Sequence, residues 1–283
     1  MKKYFIIFVL FFFLLVFSGC SSTGDYTNQV LTEKKQTQHL VLIVLDGLGG
    51  GYIPHSNMPI LKLMMANGAS TLNTKNIKPS MTWANLPAIF YGAPPDKHLE
   101  EAFPSIFSII NDKTAAFYYE WDYLDKINLN QNTQKFIIDS SFSSALIAAS
   151  FIKENKPLFT AVVFEEPDIT GHKNNFGSSE YYRTLTMLDY NIKVIIKAVI
   201  EAGMLENTVF VITSDHGGIF KDHSLNFKIS RRIPIIITGN GIKKNYIIRG
   251  RTSILDVAPT MAAILGLEIP EQWTGKPLLD IFE

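Results

Sequence analysis

An acid and an imidazole stand side by side at the end of the apolar stretch 208–212, as Asp215 and His216. In open α/β sheets, ligands gather at the carboxyl ends of the strands. Carboxylates and imidazoles without thiolates suit zinc, with manganese as an alternative. Gly217 and Gly218 follow and would let the backbone turn close to such a site. Taken alone, this segment also fits a polar turn after a buried strand, and a metal site is favoured because other strand ends carry matching residues.

Two further apolar runs end in the same kinds of residue. Residues 40–45 form a continuous apolar run, typical of a central parallel strand that is buried on both faces, and Asp46 follows it. After the apolar run 158–164 the chain carries Asp168 and His172, four residues apart around a glycine. One loop could present both side chains to one ion. A solvated acidic loop is the alternative for that segment.

Three residues outside these strand ends complete the candidate site. His223 lies seven residues after His216, in a predicted loop where an isolated histidine is most often only a surface residue. Thr82 lies where a helix is predicted to begin, and we expect it to be the N-cap. A helix N-terminus favours negative charge, so an alkoxide on Thr82 and the phosphate it attacks would be stabilised there. Asn85, one turn on, could donate a hydrogen bond to a phosphate oxygen.

Apolar periodicity predicts the elements that position these residues. Further strands are predicted over residues 69–74, 114–119 and 233–237. Besides the helix that begins at Thr82, helices are predicted over residues 59–66, 105–111, 139–155, 178–202 and 256–265, with Gly68 as the C-terminal cap of the first. The segment 120–122, Glu-Trp-Asp, could line a substrate pocket or simply pack.

Composition limits the class of partner. The chain has 283 residues with 26 basic and 26 acidic side chains, so its formal net charge is zero. Binding to nucleic acid depends on a basic excess that neutralises phosphates, so we expect no nucleic-acid partner. Residues 39–283 are numerous enough to form one sizeable core.

The N-terminal region predicts export. Lys2 and Lys3 precede an apolar run over residues 4–17, which is too short to span a bilayer but fits a signal-peptide core. Small residues lead to Cys20, the only cysteine, and this resembles a bacterial lipoprotein signal: residues 1–19 would be removed and Cys20 would carry lipid. Residues 20–38 are polar and typical of a tether. The resemblance implies an extracytoplasmic protein of the bacterial cell envelope, anchored to a membrane. An ordinary signal peptide or an N-terminal anchor is the alternative.

Four motifs in order resemble those of the alkaline phosphatase superfamily, and most closely its bacterial type I phosphodiesterase/nucleotide pyrophosphatase-like branch. They are Val-Leu-Asp-Gly at 44–47, Pro-Ser-Met-Thr-Trp-Ala-Asn at 79–85, Glu-Pro-Asp-Ile-Thr-Gly-His at 166–172 and Ser-Asp-His-Gly-Gly at 214–218. The resemblance runs from about residue 40 to the end of the chain. It implies an α/β hydrolase domain over residues 39–283, with a doubly wound, mostly parallel sheet flanked by helices.

Carried over to this sequence, the resemblance implies two divalent metal ions. One would be held by Asp168, His172 and His223, and the other by Asp46, Asp215 and His216, with the Thr82 hydroxyl reaching it as nucleophile. Three carboxylates and one alkoxide would neutralise two divalent cations. Metal coordination can lower the pKa of a bound water from roughly 15.7 to about 7, and a comparable effect on the threonine hydroxyl would remove the need for a nearby general base.

The expected reaction is hydrolysis of a small-molecule phosphate ester through a covalent phosphothreonine at Thr82. Phosphodiester or pyrophosphate cleavage is favoured because Thr82 with Asn85 matches the phosphodiesterase branch and no arginine lies near Thr82 in sequence, although Arg183 could arrive from elsewhere in the fold. A phosphomonoesterase is the alternative on the same site, and a surface lipoprotein that binds without catalysis is a further one. Sulfatases have a different sequence pattern, in which a Cys or Ser is converted to formylglycine. Thr82 cannot undergo that conversion.

Overall fold

The computed structural model describes residues 39–98, 103–118, 127–138 and 140–283. The predicted signal peptide over residues 1–19 and the tether over residues 20–38, with Cys20, lie outside the described residues. The same holds for the segment 120–122. Within the described part of the chain, no helix has the length and apolar character needed to cross a membrane.

Eight strands of the described chain form one sheet. They are β1 (His39–Leu45), β2 (Gly68–Lys75), β3 (Thr114–Tyr118), β4 (Thr133–Ile137), β5 (Phe159–Phe164), β6 (Thr208–Thr213), β7 (Arg232–Gly239) and β8 (Tyr246–Ile247). Their order across the sheet is β4-β3-β5-β1-β6-β7-β2-β8. The five strands from β4 to β6 are parallel, whereas β7 is antiparallel to both of its neighbours. The prediction of a mostly parallel sheet is confirmed.

Helices connect the strands and cover both faces of the sheet. They are α1 (Pro59–Ala66), α2 (Thr82–Tyr91), α3 (Pro95–His98), α4 (Ile106–Ile109), α5 (Ser141–Asn155), α6 (Glu166–Asn174), α7 (Ser179–Glu201) and α8 (Val257–Leu265). Short 3-10 turns complete the connections, including one over Gly50–His55.

The core lies in two layers because successive side chains of a strand point to opposite faces. On one face, Leu40, Leu42 and Val44 of β1 pack with apolar residues of α2, α4 and α8. On the other face, Val41 and Ile43 pack with apolar residues of α1, α5 and α7. A sheet covered on both faces is doubly wound, as predicted, and its central strand is apolar throughout for that reason.

Several local predictions differ from the structure. Asp168 and His172 lie in α6 rather than in a loop, so one helical turn, not a flexible segment, sets their spacing. Gly68 begins β2, and Asn67 is the C-cap of α1. The strands β4 and β8 were not predicted, because β4 has a largely polar and exposed pattern and β8 has only two residues.

The N-terminus of α1 is capped by a side chain from a distant helix. Asp189, in α7, accepts hydrogen bonds from Ile60 N at 2.9 Å and Leu61 N at 2.8 Å. Met58, the N-cap residue, offers no side-chain hydrogen bond. The carboxylate therefore satisfies two N–H groups that the helix itself cannot pair, and its charge is favourable at the positive end of the helix dipole.

Replacing Asp189 by alanine is expected to lower the free energy of unfolding by about 2 kcal/mol, because two N–H groups lose their buried acceptor. Urea-induced unfolding followed by circular dichroism measures the change. Tyr190→Ala is the control, since Tyr190 is the exposed neighbour and surface changes are usually within roughly 0.5 kcal/mol. Equal destabilisation by both substitutions would contradict the capping role of Asp189.

Candidate metal centre and nucleophile

Three neighbouring strands deliver candidate ligands to one edge of the sheet. Asp46 follows the end of β1, and Asp215 and His216 follow the end of β6. The third strand, β5, leads into α6, which carries Asp168 and His172. Because β5, β1 and β6 are adjacent and parallel, their carboxyl ends meet at the same edge. The candidate ligands that follow separate strands in the sequence therefore lie close together in the structure.

The converging side chains form two groups. In each group, one nitrogen or oxygen atom per residue lies within 4.8 Å of the corresponding atoms of the other two. The first group is Asp46, Asp215 and His216, and the second group is Asp168, His172 and His223. These are the two ligand sets that the family resemblance implied. His223, which had the weakest local signal, is buried in the cluster.

The first group is spaced for a shared cation rather than for hydrogen bonds. His216 Nε2 lies 3.4 Å from Asp46 Oδ1 and 3.4 Å from Asp215 Oδ2. Good N–H···O hydrogen bonds are shorter, with heavy-atom distances near 2.9 Å. Nitrogen and oxygen ligands about 2.0–2.1 Å from a tetrahedral ion would stand roughly 3.3 Å from one another. The spacing of these three atoms matches that value.

The second group has similar spacing. His172 Nε2 lies 3.4 Å from Asp168 Oδ2 and 3.1 Å from His223 Nε2. His223 Nε2 lies 3.7 Å from Asp168 Oδ1. Two imidazole nitrogens that face each other across about 3 Å need a cation or a proton between them, since both carry lone pairs.

Three carboxylate oxygens of the cluster are buried without a hydrogen-bond partner among the described residues. They are Asp46 Oδ1, Asp168 Oδ1 and Asp215 Oδ2. Buried polar atoms normally have partners, and buried charges are normally paired or bound to metal. The donors present, three carboxylates and three imidazoles, fit two divalent cations on this ground as well as on spacing.

The imidazole rings are oriented by hydrogen bonds to backbone carbonyls. His172 Nδ1 lies 2.8 Å from Lys221 O, and His223 Nδ1 lies 2.7 Å from Ser80 O. His216 Nδ1 makes the same kind of contact, at 3.1 Å, with a neighbouring backbone carbonyl. A carbonyl can only accept, so the proton sits on Nδ1 and the lone pair of Nε2 faces the cluster. Such outer contacts are what fix metal-binding histidines.

Burial shifts the pKa of four side chains in the cluster. Desolvation, followed by repulsion from Asp215 and Asp168, raises the pKa of Asp46 well above its usual value. Desolvation also raises the pKa of Asp168 to about 6. Burial lowers the pKa of both His216 and His223. These two imidazoles are thus held neutral, as ligands must be, and Asp46 needs positive charge beside it to stay ionised at neutral pH.

Thr82 joins this cluster. It is the first residue of α2, its side chain is buried at 4% exposure, and its Oγ1 lies 2.9 Å from His216 Nε2. The prediction that Thr82 is the N-cap is wrong: Met81 occupies that position in an extended conformation. The hydroxyl is consequently not used for capping and points to the candidate ligands.

Asn85 does not project into the cluster. Its amide nitrogen donates to Pro79 O at 2.9 Å and to Met81 O at 3.0 Å, and its Oδ1 accepts from Ile77 N at 2.8 Å. The side chain is fully buried. In this structure both of its functional atoms are engaged by the segment that precedes Thr82, so Asn85 holds that segment instead of donating to a substrate oxygen as expected from the sequence.

Two positioning contacts had no signal in the sequence. Asn76 Nδ2 donates to Ser80 Oγ at 2.9 Å and to Asp215 O at 3.2 Å, linking the nucleophile segment to the end of β6. Gly47 has φ +79°, and an added Cβ would lie 2.8 Å from the Cα of Asp168. Only glycine allows this approach of two ligand-bearing segments. Asn76 and the carbonyl of Ser80 act through tertiary contacts, which local sequence does not reveal.

Comparisons with known proteins agree with this geometry. Residues 16–267 match the family described as Sulfatase. Arylsulfatase K of Bos taurus is 33% identical over 104 residues, which are 35% of this chain and 19% of that protein, so the match spans about a fifth of the relative's length.

Solved structures with similar folds include enzymes for two kinds of ester. A 2-O GAG sulfatase superposes with a TM-score of 0.70 at 14% identity, covering 86% of this chain and 74% of the other. Murine ectonucleotide pyrophosphatase/phosphodiesterase 5, solved as an inactive form with AMP, superposes with a TM-score of 0.69 at 13% identity. The match covers 87% of this chain and 100% of the other. At such identities the likeness shows the fold, which is alkaline phosphatase-like.

The family match places the chain in the alkaline phosphatase superfamily, so the superfamily predicted from the motifs is confirmed. Within that superfamily, the chain belongs to the sulfatase family. Family membership does not decide between sulfate and phosphate esters.

Purified protein is expected to contain two divalent ions per chain, and His223→Ala is expected to contain about one. Elemental analysis by mass spectrometry after gel filtration measures the content. His55→Ala is the control, because His55 is exposed and outside both groups. Two tightly held ions in the His223→Ala protein would contradict the assignment of His223 as a ligand.

Metal affinity is expected to fall as the pH is lowered through about 6, where Asp168 takes up a proton. The sign follows from linkage: the raised pKa values of Asp46 and Asp168 mean that bound ions must displace protons, so acid competes with metal. Each displaced proton changes the affinity by roughly tenfold per pH unit. Calorimetric titration with zinc at pH 5.5 and 7.5 tests this, and equal affinities at both values would oppose it.

Proposed function

We propose that this chain hydrolyses phosphate esters, with phosphodiesters or pyrophosphates favoured, through a covalent phosphothreonine at Thr82. The observation that carries the proposal is the position of the Thr82 hydroxyl, 2.9 Å from Nε2 of His216, which belongs to one of the two ligand groups. The proposed ions are zinc, with manganese as the alternative. The substrate is a small molecule.

The side chain at position 82 favours phosphate over sulfate esters. Formylglycine, the sulfatase nucleophile, is an aldehyde made from Cys or Ser, and its hydrate attacks sulfur. Threonine has a methyl group on Cβ, so the same oxidation would give a ketone, which hydrates poorly. An unmodified threonine can still attack phosphorus, because a phosphoenzyme ester is released again by water. Sulfate-ester hydrolysis, suggested by the family match and by the arylsulfatase K likeness, is therefore the second candidate.

The proposed reaction has two displacements at phosphorus. In the first, Thr82 Oγ1 forms a bond to phosphorus, the bond to the leaving alcohol breaks, and that alcohol departs with a proton. In the second, water attacks phosphorus, the bond to Oγ1 breaks, and the threonine hydroxyl is regenerated. Two divalent ions held by the cluster would lower the pKa of the hydroxyl and stabilise charge on the entering and departing oxygens.

The protein's own groups set the geometry of these steps. Asn85 holds the segment 77–81 in place and so fixes the start of α2. Asp215 and the segment around Ser80 are tied together through Asn76. We assign Asn76 and Asn85 as positioning residues, because neither is placed to touch the reacting atoms.

The absence of a nearby cation supports a diester over a monoester. A phosphomonoester carries one more negative charge, which usually requires an arginine or lysine. Arg183, the candidate from elsewhere in the fold, instead pairs with Glu180 at 2.8 Å on the surface, with 72% of its side chain exposed. Among the described residues, the charged neighbours that shift the pKa of Asp46 and Asp168 are carboxylates and histidines, with no lysine or arginine among them.

We also propose that the protein is exported and held at a membrane by lipid on Cys20. The support is the N-terminal sequence alone: a basic start, an apolar run over residues 4–17 and a lone cysteine after small residues. Metabolic labelling with a fatty acid, lost on Cys20→Ala, is the corresponding test.

Thr82→Ala is expected to lower kcat/KM for bis-p-nitrophenyl phosphate on the order of a thousandfold or more, because the nucleophile is removed. Metal content should stay at two per chain, since six other ligands remain. Thr82→Ser, which keeps the hydroxyl, should retain measurable turnover. Radiolabelled phosphate should be trapped by acid quench on the native protein and not on Thr82→Ala.

Three p-nitrophenyl esters separate the candidates. A preference for bis-p-nitrophenyl phosphate over p-nitrophenyl phosphate is expected, and the reverse preference would make the protein a phosphomonoesterase. Faster turnover of p-nitrophenyl sulfate than of either phosphate would refute the proposal. Lack of turnover on all three, with fewer than two ions bound, would favour a surface protein that binds without catalysis.

A further inference from the structure

Four large apolar side chains are exposed in the segments that carry the nucleophile and His223. They are Trp83 at 39%, Phe220 at 70%, Leu225 at 65% and Phe227 at 48% exposure. We call these four residues the apolar collar. Scattered single apolar residues on a surface are ordinary, but a group beside a reaction site indicates binding.

Hydrogen bonds join the loop that carries three collar residues to the segment that precedes Thr82. The loop 219–227 lies between α6 and the nucleophile segment: Lys221 O contacts His172 Nδ1, and Ser80 O contacts His223 Nδ1. Asn226, between Leu225 and Phe227, accepts a hydrogen bond from Ser80 N at 3.0 Å. Trp83 directly follows Thr82 at the start of α2. The collar therefore adjoins the catalytic segments in sequence and through these contacts.

The backbone at Phe220 is a second, independent sign of function. Phe220 has φ +55°, a left-handed conformation that a bulky residue rarely adopts. It is held there by a bond from Phe176 N to Phe220 O at 2.6 Å and by the paired bonds between Ile219 and Asp222. Unfavourable backbone of this kind persists mainly at functional sites. Here it leaves an aromatic ring facing solvent rather than packed in the core.

We propose that the apolar collar binds an alkyl or aryl substituent of the substrate, so that the preferred substrates are amphiphilic phosphodiesters. The inference rests on the proposed function. A phosphorus atom at Thr82 Oγ1 carries a second ester group that extends from the buried cluster, and the segments that bear the collar adjoin that cluster. Asp222, the acid in that loop, is engaged by Ser224 N at 2.8 Å and Ser224 Oγ at 2.9 Å.

A substrate series with one leaving group tests the inference. Methyl, butyl and hexyl p-nitrophenyl phosphate all release p-nitrophenolate, so the chemical step is alike and only the retained substituent grows. At concentrations below micelle formation, kcat/KM is expected to rise at least tenfold from methyl to hexyl, mainly through a lower KM, because apolar area leaves water on binding. An unchanged kcat/KM across the series would overturn the collar assignment.

Substitutions in the collar test whether these residues cause the rise in kcat/KM. In Leu225→Ser combined with Phe227→Ser, the ratio of hexyl to methyl kcat/KM should fall below about threefold. Ile247→Ser is the matched control, because Ile247 is 69% exposed on β8 and outside the collar, and its ratio should equal that of the native protein. If circular dichroism shows that the double variant does not fold, the single substitution Phe220→Ser, which keeps the loop length, replaces it in the test.

The outcomes separate the two proposals. If the methyl ester is turned over in a Thr82-dependent way but the hexyl ester shows no gain in kcat/KM, the phosphodiesterase function stands and the collar inference is refuted. The collar inference is also refuted if the gain in kcat/KM from the methyl to the hexyl ester persists in the collar variants. Absence of turnover on every diester, with intact folding and two bound ions, refutes the proposed function and the collar inference with it.

Discussion

Repulsion among three buried carboxylates is the constraint on which the architecture of this protein depends. Asp46, Asp168 and Asp215 are drawn together by strands that the apolar core holds side by side, and burial makes each negative charge costly. Neutral imidazoles cannot compensate that charge. Positive ions can, and the unpartnered oxygens and the ligand spacing of about 3.4 Å are what such ions require. The core thus stabilises an arrangement that could hold cations, and cation binding would in turn stabilise the fold.

The same constraint explains why the local structure is strict around the ligands. Strand order β5-β1-β6 brings three carboxyl ends to one point. Gly47 permits the backbone contact between the first ligand segment and α6, and the backbone carbonyls of Ser80 and Lys221 turn two imidazoles inward. An ion tolerates errors of only a few tenths of an ångström in its ligand distances. Asp168 and His172 are accordingly held in a helix, and Asp46, Asp215 and His216 follow closely on the ends of buried strands.

Much of the site could be predicted from sequence because ligand type and strand-end position are local features. An apolar run followed by an acid identifies both the buried strand and the edge where its ligand lies, which is why Asp46 and Asp215 were found with their partners. Predictions failed where a side chain's role depends on tertiary contacts. Asn85 has the right type and spacing to bind substrate, yet the fold directs its amide to Pro79, Met81 and Ile77. The helical setting of Asp168 was missed because Pro167 and Gly171 read as loop residues, although proline is favourable in a first helical turn.

The position of Thr82 shows how a one-residue difference at a helix start changes chemistry. An N-cap threonine turns its oxygen back to accept hydrogen bonds from the first-turn N–H groups, and that oxygen would be occupied as an acceptor. In α2 the N-cap is Met81, which has no such oxygen, so the Thr82 hydroxyl remains available and lies in contact with His216. The helix forgoes capping by a side chain, and the cost is on the order of 1 kcal/mol. The hydroxyl that is left unused sits at the positive end of the helix dipole, which favours its ionised form. A residue that resembles a routine cap in the sequence is thereby free for the nucleophilic role that we propose for it.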